Sequence, residues 1–359
     1  MPPRKVLLAM NELHAAVEAV FNTQCCLPTD EIHLLEVTPP VSDTIMGLVD
    51  ASDMVFTAST LQAQAQTVLE EDGKATKSLL EASELLVFKH LVPASNIHQH
   101  MLPSTGGASG VSGTVLELAR REAVGMIVVG SRGMGVVKSS LMSLVGLGSV
   151  GDALLKEAYC PVLLVRPDPA NSRGSSTEEG AAEPMTYEGK RVCVAYDGSL
   201  SADAALSWAI KHIMRPEDHL VIVTIVVSPS QFPAVDDPAA VTIFSQEAFA
   251  QAQQALASAT ASAVSAAETA VAAVEAQGVP KSNISQTMLI DSDVGGALTQ
   301  YVNSQGMSVV VCGGHGMSAM RSAMQSFIGL GSVSTYLAHT VHGLLAVVRE
   351  PTPTASPDQ

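Results

Sequence analysis

The residues with the clearest chemical potential are glycines set at fixed spacing around a serine. Gly313-Gly314-His315-Gly316 follows a Val/Cys run, and after fourteen intervening residues comes Gly331-Ser332-Val333. Glycine at a strand end lets the backbone approach a phosphate or ribose. A serine at a helix start adds a hydroxyl to free N–H groups and to the positive end of the helix dipole, so the pattern describes an anion site. The same spacing occurs in the first half as Gly130, Gly133, Gly148, Ser149 and Val150, displaced by 183 residues. Lys138 and Arg321 share that displacement inside the two loops, where each would neutralise a phosphate; a solvated basic residue is the competing reading. His98 with His100, and His339 with His342 on an expected last helix, have no Cys or acidic third ligand at metal-site spacing. They are read as satisfied or surface histidines, and no metal site is assigned. No GxSxG elbow, GxxxxGK[ST] loop or HExxH helix occurs, which removes the obvious hydrolytic and phosphotransfer machines. Met134, Met142, Met317, Met320 and Met324 cluster in the loops, with core filling the commoner use of such residues.

Positioning those glycines is the task of a duplicated framework. MIVVGSRGMGVVKSSLMSLVGLGSV (126–150) matches VVVCGGHGMSAMRSAMQSFIGLGSV (309–333). The likeness extends upstream through KVLLAMNEL (5–13) and RVCVAYDGS (191–199), EIHLLEV (31–37) and HLVIVTIV (219–226), and NIHQHML (96–102) and NISQTML (283–289). Downstream, PVLLVRP (161–167) parallels GLLAVVREP (343–351). A repeat of this length makes the chain two tandem domains. In each copy short Val/Ile/Leu runs alternate with longer helix-compatible segments, among them 60–91 and 243–277. The expected fold class is α/β: two tandem open, mainly parallel five-stranded sheets with helices on both faces, each with a ligand crevice at the carboxyl ends of its strands. The boundaries expected are 1–168 and 189–350, with a Pro/Gly/Ser/Glu-rich flexible linker at 169–188 and a disordered tail at 351–359. The stretches 38–59 and 228–242 are irregular insertions whose mixed polarity gives no firm assignment, with a lid over the crevice one use open to them.

The glycine loop together with Val194-Ala195-Tyr196-Asp197-Gly198-Ser199 resembles the nucleotide site of the universal stress protein family, over roughly residues 3–167 and 189–350. The family pattern G-x2-G-x9-G-[S/T] is met except that nine residues become fourteen, an insertion around 143–147 and 326–330. The resemblance implies a Rossmann-like, adenine nucleotide alpha hydrolase-like fold. It also implies that Asp197, with Gly198 and Ser199, meets adenine, that Val226 or Val227 lines the base pocket, and that Gly313, Gly316, Gly331, Ser332 and Val333 hold ribose and phosphates. In the first copy the corresponding residues are Asn11, Val37, Gly130, Gly133, Gly148, Ser149 and Val150, but Asn11 is followed by Glu12-Leu13 in place of Gly-Ser. That copy is partly degenerate, and weaker binding is expected of a neutral amide than of a carboxylate.

What the resemblance implies in function is ATP, or ADP or AMP, bound with Mg accompanying the phosphates, in stress response or signalling. A slow ATP hydrolase or phosphotransferase, and an interaction scaffold with relic sites, are the alternatives; no dedicated catalytic base is visible. The two repeats are expected to self-associate as an intramolecular pseudo-dimer through the apolar runs 162–166 and 344–348, and a higher homo-oligomer is left open. Against 19 basic residues stand 35 acidic ones, a net charge of -16 that repels nucleic acid and anionic membrane. No apolar run has the length of a membrane span and the start lacks a targeting pattern, so a cytoplasmic location is expected. Cys25, Cys26, Cys160, Cys193 and Cys312 lack a CxxC and read as buried reduced thiols.

Overall fold

The computed structural model describes residues 3–9, 13–38, 58–104, 106–130, 149–166, 189–227, 246–314 and 331–349, with backbone alone at 58–65, 67, 68, 149 and 246–250. The chain divides into two compact units, Met1–Pro167 and Asp168–Gln359.

In the first unit the elements run β1 (Lys5–Ala9), α1 (Leu13–Asn22), β2 (Glu31–Thr38), α2 (Ala58–Phe88), β3 (Ile97–Pro103), α3 (Gly107–Arg121), β4 (Met126–Gly130), α4 (Ser149–Glu157) and β5 (Val162–Arg166). The second unit repeats them as β6 (Arg191–Ala195), α5 (Leu200–His212), β7 (His219–Val227), α6 (Gln246–Ala276), β8 (Ile284–Asp291), α7 (Val294–Ser304), β9 (Val309–Gly313), α8 (Ser332–Thr340) and β10 (Gly343–Val348). The five strands expected per copy are present, and the expected helices at 60–91 and 243–277 correspond to α2 and α6. Strand order is β3-β2-β1-β4-β5 in the first unit and β8-β7-β6-β9-β10 in the second, with parallel pairing throughout each.

This order reverses direction between β1 and β4, and between β6 and β9. Right-handed crossovers then place α1 and α2 on one face and α3 and α4 on the other, and α1 indeed packs on α2 and α3 on α4. Central strands covered on both faces are apolar throughout: Val6, Leu7, Leu8, Ile127, Val128, Val192, Val194, Val309 and Val311 are buried. The outer strands β3 and β8 alternate instead, and Met288 and Ile290 stand exposed on β8.

Both units pin their first two strands with the same device. Arg4, just before β1, meets Asp30 at 2.6 Å, and Lys190, just before β6, meets Asp218 at 2.5 Å. Asp218 also accepts from the backbone N–H groups of Lys190 (3.0 Å) and Arg215 (2.7 Å), which supplies the donors a buried carboxylate requires.

His219, which opens β7, is buried with its Nε2 3.0 Å from the Ser285 Oγ of β8. Burial, and then the Arg191 cation, hold its imidazole below the ordinary range. Since the unfolded value is about 6.5, the neutral ring supports the fold above that pH, and the contribution is lost as pH falls below it. His219→Gln, which keeps a polar group for Ser285, is expected to lose stability less steeply between pH 7 and pH 5. Denaturant unfolding followed by Trp208, the chain's single tryptophan and a residue of α5, measures this in the second unit. Equal pH slopes in wild type and variant would rule the contribution out.

Candidate functional site

Parallel pairing brings the carboxyl ends of β6, β7 and β9 to one edge of the second unit, on either side of its switch point. Asp197 lies two residues past β6, Val226 and Val227 end β7, and Gly313 ends β9. The strand-to-helix turn after β6 is fixed locally. Asp197 Oδ1 accepts from the Ser199 N–H at 3.0 Å, Gly198 takes a φ of 79°, and Ser199 caps α5 by accepting from Ala202 N–H at 3.1 Å. Each residue of the Asp-Gly-Ser signature therefore has a turn-forming role. Asp197 remains partly exposed at the edge, while the preceding Tyr196 turns inward and donates to Asp203 at 2.6 Å.

The two ends of the glycine loop are tied together. Gly314 donates to the Val348 carbonyl at 2.8 Å, and its own carbonyl accepts from Gly331 N–H at 2.7 Å and from Ser334 Oγ at 3.1 Å. Gly331 is the N-cap of α8, Ser332 is exposed in its first turn and Val333 is half-buried. The start of α8 is thus anchored beside the end of β9, with its dipole directed to the strand-end edge. Of the two valines, Val226 is 3% exposed and Val227 58%, so Val227 is the one open to a ligand.

Gly313 has a reason the sequence does not carry. A Cβ there would stand 2.5 Å from Ser201 Oγ and 2.8 Å from the Ser201 backbone, so the glycine admits α5 against β9. Close packing of α5 on β9 is therefore a reason for this glycine beside the ligand approach expected of it.

In the first unit Val37 is half-buried near the end of β2, Gly130 ends β4, Ser149 begins α4, and Val150 is buried. Asn11, Gly133, Gly148, Gly316, Lys138, Arg321, the insertions at 143–147 and 326–330, the loop methionines and the 169–188 and 351–359 segments lie outside the described residues, as do 39–57 and 228–242. An open cleft of about 430 Å³ lies beside the start of α1, with Lys74, Lys77, Ser78 and Glu81 of α2 on its other wall. Its cations are engaged along the helix, Lys74 with Glu71 at 2.7 Å and Lys77 with Glu81 at 3.6 Å. Ser78 donates to Glu36 at 2.5 Å, and burial pushes that carboxyl above its usual range against the effect of this bond. None of these residues was singled out from sequence, since α2 meets β2 only through the fold.

His98 and His100 on β3 flank His33 of β2, with ring centroids 4.7 and 5.3 Å away. Burial, then the neighbouring His98 and His100, push the His33 imidazole down to about 4, and burial lowers His100 in the same direction. His339 is exposed on α8, whereas His342 lies beyond the helix end, a correction to its expected helical position. All five cysteines are buried and outside any disulfide, and burial raises Cys160, Cys193 and Cys312 to about 12, which disfavours their thiolate forms. Among the described residues no helix is long and apolar enough to cross a membrane.

The folded chain resembles a universal stress protein from Archaeoglobus fulgidus DSM 4304, with a TM-score of 0.50 and 14% identity over 96% of both chains. Universal stress protein UspA from Lactobacillus plantarum aligns over 45% of this chain and 97% of its own, at 18% identity and a TM-score of 0.34. A universal stress protein in complex with cAMP aligns over 46% and 98%, at 17% identity and 0.28. Comparison with curated proteins finds no match. The family model for universal stress proteins matches twice, over residues 4–166 and 189–349, so the chain belongs to the universal stress protein family as a tandem member.

Proposed function

We propose that the second repeat binds an adenine nucleotide, ATP foremost, in a stress-response or signalling role. Asp197 accepts from the adenine amino group, Val227 lines the base, and the N–H groups of Ser332 and Val333 hold the phosphates with the Ser332 hydroxyl beside them and the Gly331 backbone leaving room for their approach. The observation that supports this reading is the Gly314–Gly331 tie, which sets an exposed helix start against the carboxyl end of β9, two strands from Val227 and next to the strand leading to Asp197. The donor set suits a phosphate, because backbone N–H groups at a helix start converge on an anion without needing a cation. Mg would accompany the phosphates and supply charge neutralisation.

Calorimetric titration of the full chain with ATP, ADP, AMP and cyclic AMP tests the reading, together with mass spectrometry of ligand released from denatured protein. Gly331→Val separates the phosphate site from the inserted loop. Gly331 has a φ of -63° and a ψ of 156°, a conformation valine adopts, so its side chain obstructs ligand without straining the backbone. The expected result is a loss of at least about tenfold in ATP affinity, or roughly 1.4 kcal/mol, with Phe327→Ala leaving affinity unchanged. Full affinity in Gly331→Val would overturn the placement of the phosphates.

A further inference from the structure

Parallel register sets Glu31 and His33 of β2 beside His98 of β3, since His33 pairs with His98. The third, acidic partner that the spacing of His98 and His100 lacks is therefore supplied by a neighbouring strand. Glu31 Oε1 lies 3.4 Å from His33 Nε2 and 3.2 Å from His98 Nε2, and one ligand atom from each of the three residues falls within 4.8 Å of the others. Ligand atoms held at about 2.0–2.1 Å on a tetrahedral ion stand roughly 3.3 Å apart, so two of the three edges already have the required length.

We propose that this cluster is a site for a divalent transition-metal ion, Zn²⁺ foremost, bound by Glu31, His33 and His98, with water as the fourth ligand. Two nitrogens and a carboxylate oxygen are a donor set zinc accepts, and three protein ligands leave one position open.

His33 is the residue that distinguishes this from a surface ion pair. It is 1% exposed, and its Nε2 makes no hydrogen bond although a carboxylate oxygen lies within 3.4 Å. Its Nδ1 is 3.0 Å from His100 Nε2. When His33 donates through Nδ1, Nε2 carries a bare lone pair 3.4 Å from the Glu31 oxygen, and a cation bound by both relieves two acceptors at that distance. His100 then has the outer-shell task of fixing the tautomer and ring plane of a ligating histidine. Lys5 Nζ, 3.3 Å from Glu31 Oε1, is the group that competes for the carboxylate; its side chain is 35% exposed and has room to leave.

The second repeat provides an internal contrast. By strand pairing, His219, Val221, Ser285 and Thr287 stand where Glu31, His33, His98 and His100 stand in the first. There the polar pair closes on itself, His219 with Ser285, and the central ligand is replaced by valine. Glu31, His33 and His98 form the one such three-residue cluster among the described residues. The site opens β2 at the amino ends of the strands, away from the carboxyl ends proposed for nucleotide, so either proposal can fail without the other.

The test uses the untagged full chain, stripped with chelator and titrated with Zn²⁺ against a chromophoric competitor. One tightly bound Zn²⁺ per chain is expected. His98→Ser and His33→Val import the residues that the second repeat already tolerates at these places, and each is expected to weaken binding by about 100-fold or more, beyond the 10–100-fold typical of losing an outer partner. Circular dichroism checks that both fold, and because His98 is partly exposed its variant keeps the test decisive if His33→Val does not. Lys5→Met is expected to tighten binding by roughly three- to tenfold, since it removes the ammonium competing for Glu31. Less than one Zn²⁺ per chain, or unchanged affinity in His98→Ser, would overturn the site.

Discussion

Asp197→Ala is expected to weaken ATP binding to the full chain by about 1.5–3 kcal/mol, roughly tenfold to 150-fold, the cost of a charge-assisted hydrogen bond. Asn11→Ala is expected to cost clearly less, because the amide at that position of the first repeat is a neutral acceptor and the Gly-Ser that follows Asp197 is Glu12-Leu13 there. Asp197 also holds its own turn through Ser199 N–H, so part of the loss in Asp197→Ala comes from a loosened strand-to-helix connection. Asp197→Asn separates the two contributions: it keeps an oxygen for Ser199 while removing the charge, and should restore stability more fully than affinity. Calorimetry on the three variants decides the matter, and equal losses at Asp197 and Asn11 would show that the two repeats bind alike.

Gly313→Ala should destabilise the second unit by about 2–3 kcal/mol, the upper end of what overpacking a core usually costs. The added methyl group would meet Ser201 Oγ at 2.5 Å and the Ser201 carbonyl at 2.8 Å. Removing the hydroxyl with Ser201→Ala should rescue little, since the backbone contact stays, and either β9 or α5 must move. Trp208 fluorescence in denaturant gives the value directly. A fall in nucleotide affinity in this variant should then follow the fraction folded at the assay temperature, vanishing on cooling if the domain is intact. A variant as stable as wild type would show that close packing is not what requires a glycine at 313.

The βα alternation was legible because the central strands are buried on both faces and so are apolar without interruption, as in Met126–Gly130 and Val309–Gly313. The helices α2 and α6 were legible from long segments free of proline, with ends displaced by only a few residues. The packing reason for Gly313 was hidden, because its neighbour Ser201 is more than a hundred residues away and a glycine at a strand end looks the same whether a ligand or a helix occupies the space. The histidine cluster was hidden for a related reason. Spacing within β3 shows His98 and His100, but the register that sets His33 and Glu31 beside them is a property of two strands separated by the whole of α2. Choosing between Val226 and Val227 likewise needed the pleat, which turns one inward and the other out.

Two copies of one strand order on a single polypeptide also pose a problem of folding fidelity, since each outer strand has a near-equivalent competitor from the other copy. The rows of side chains running across β2–β3 and β7–β8 act as labels against exchange. Were β8 to pair with β2, Ser285 would replace His98 beside His33, and both imidazole stacks on His33 would be lost. In the converse error, β3 against β7, His98 would face the apolar Val221 and His219 would forfeit its Ser285 partner. The mismatch falls at the amino ends of the strands, so a swapped chain is penalised at the point where pairing begins.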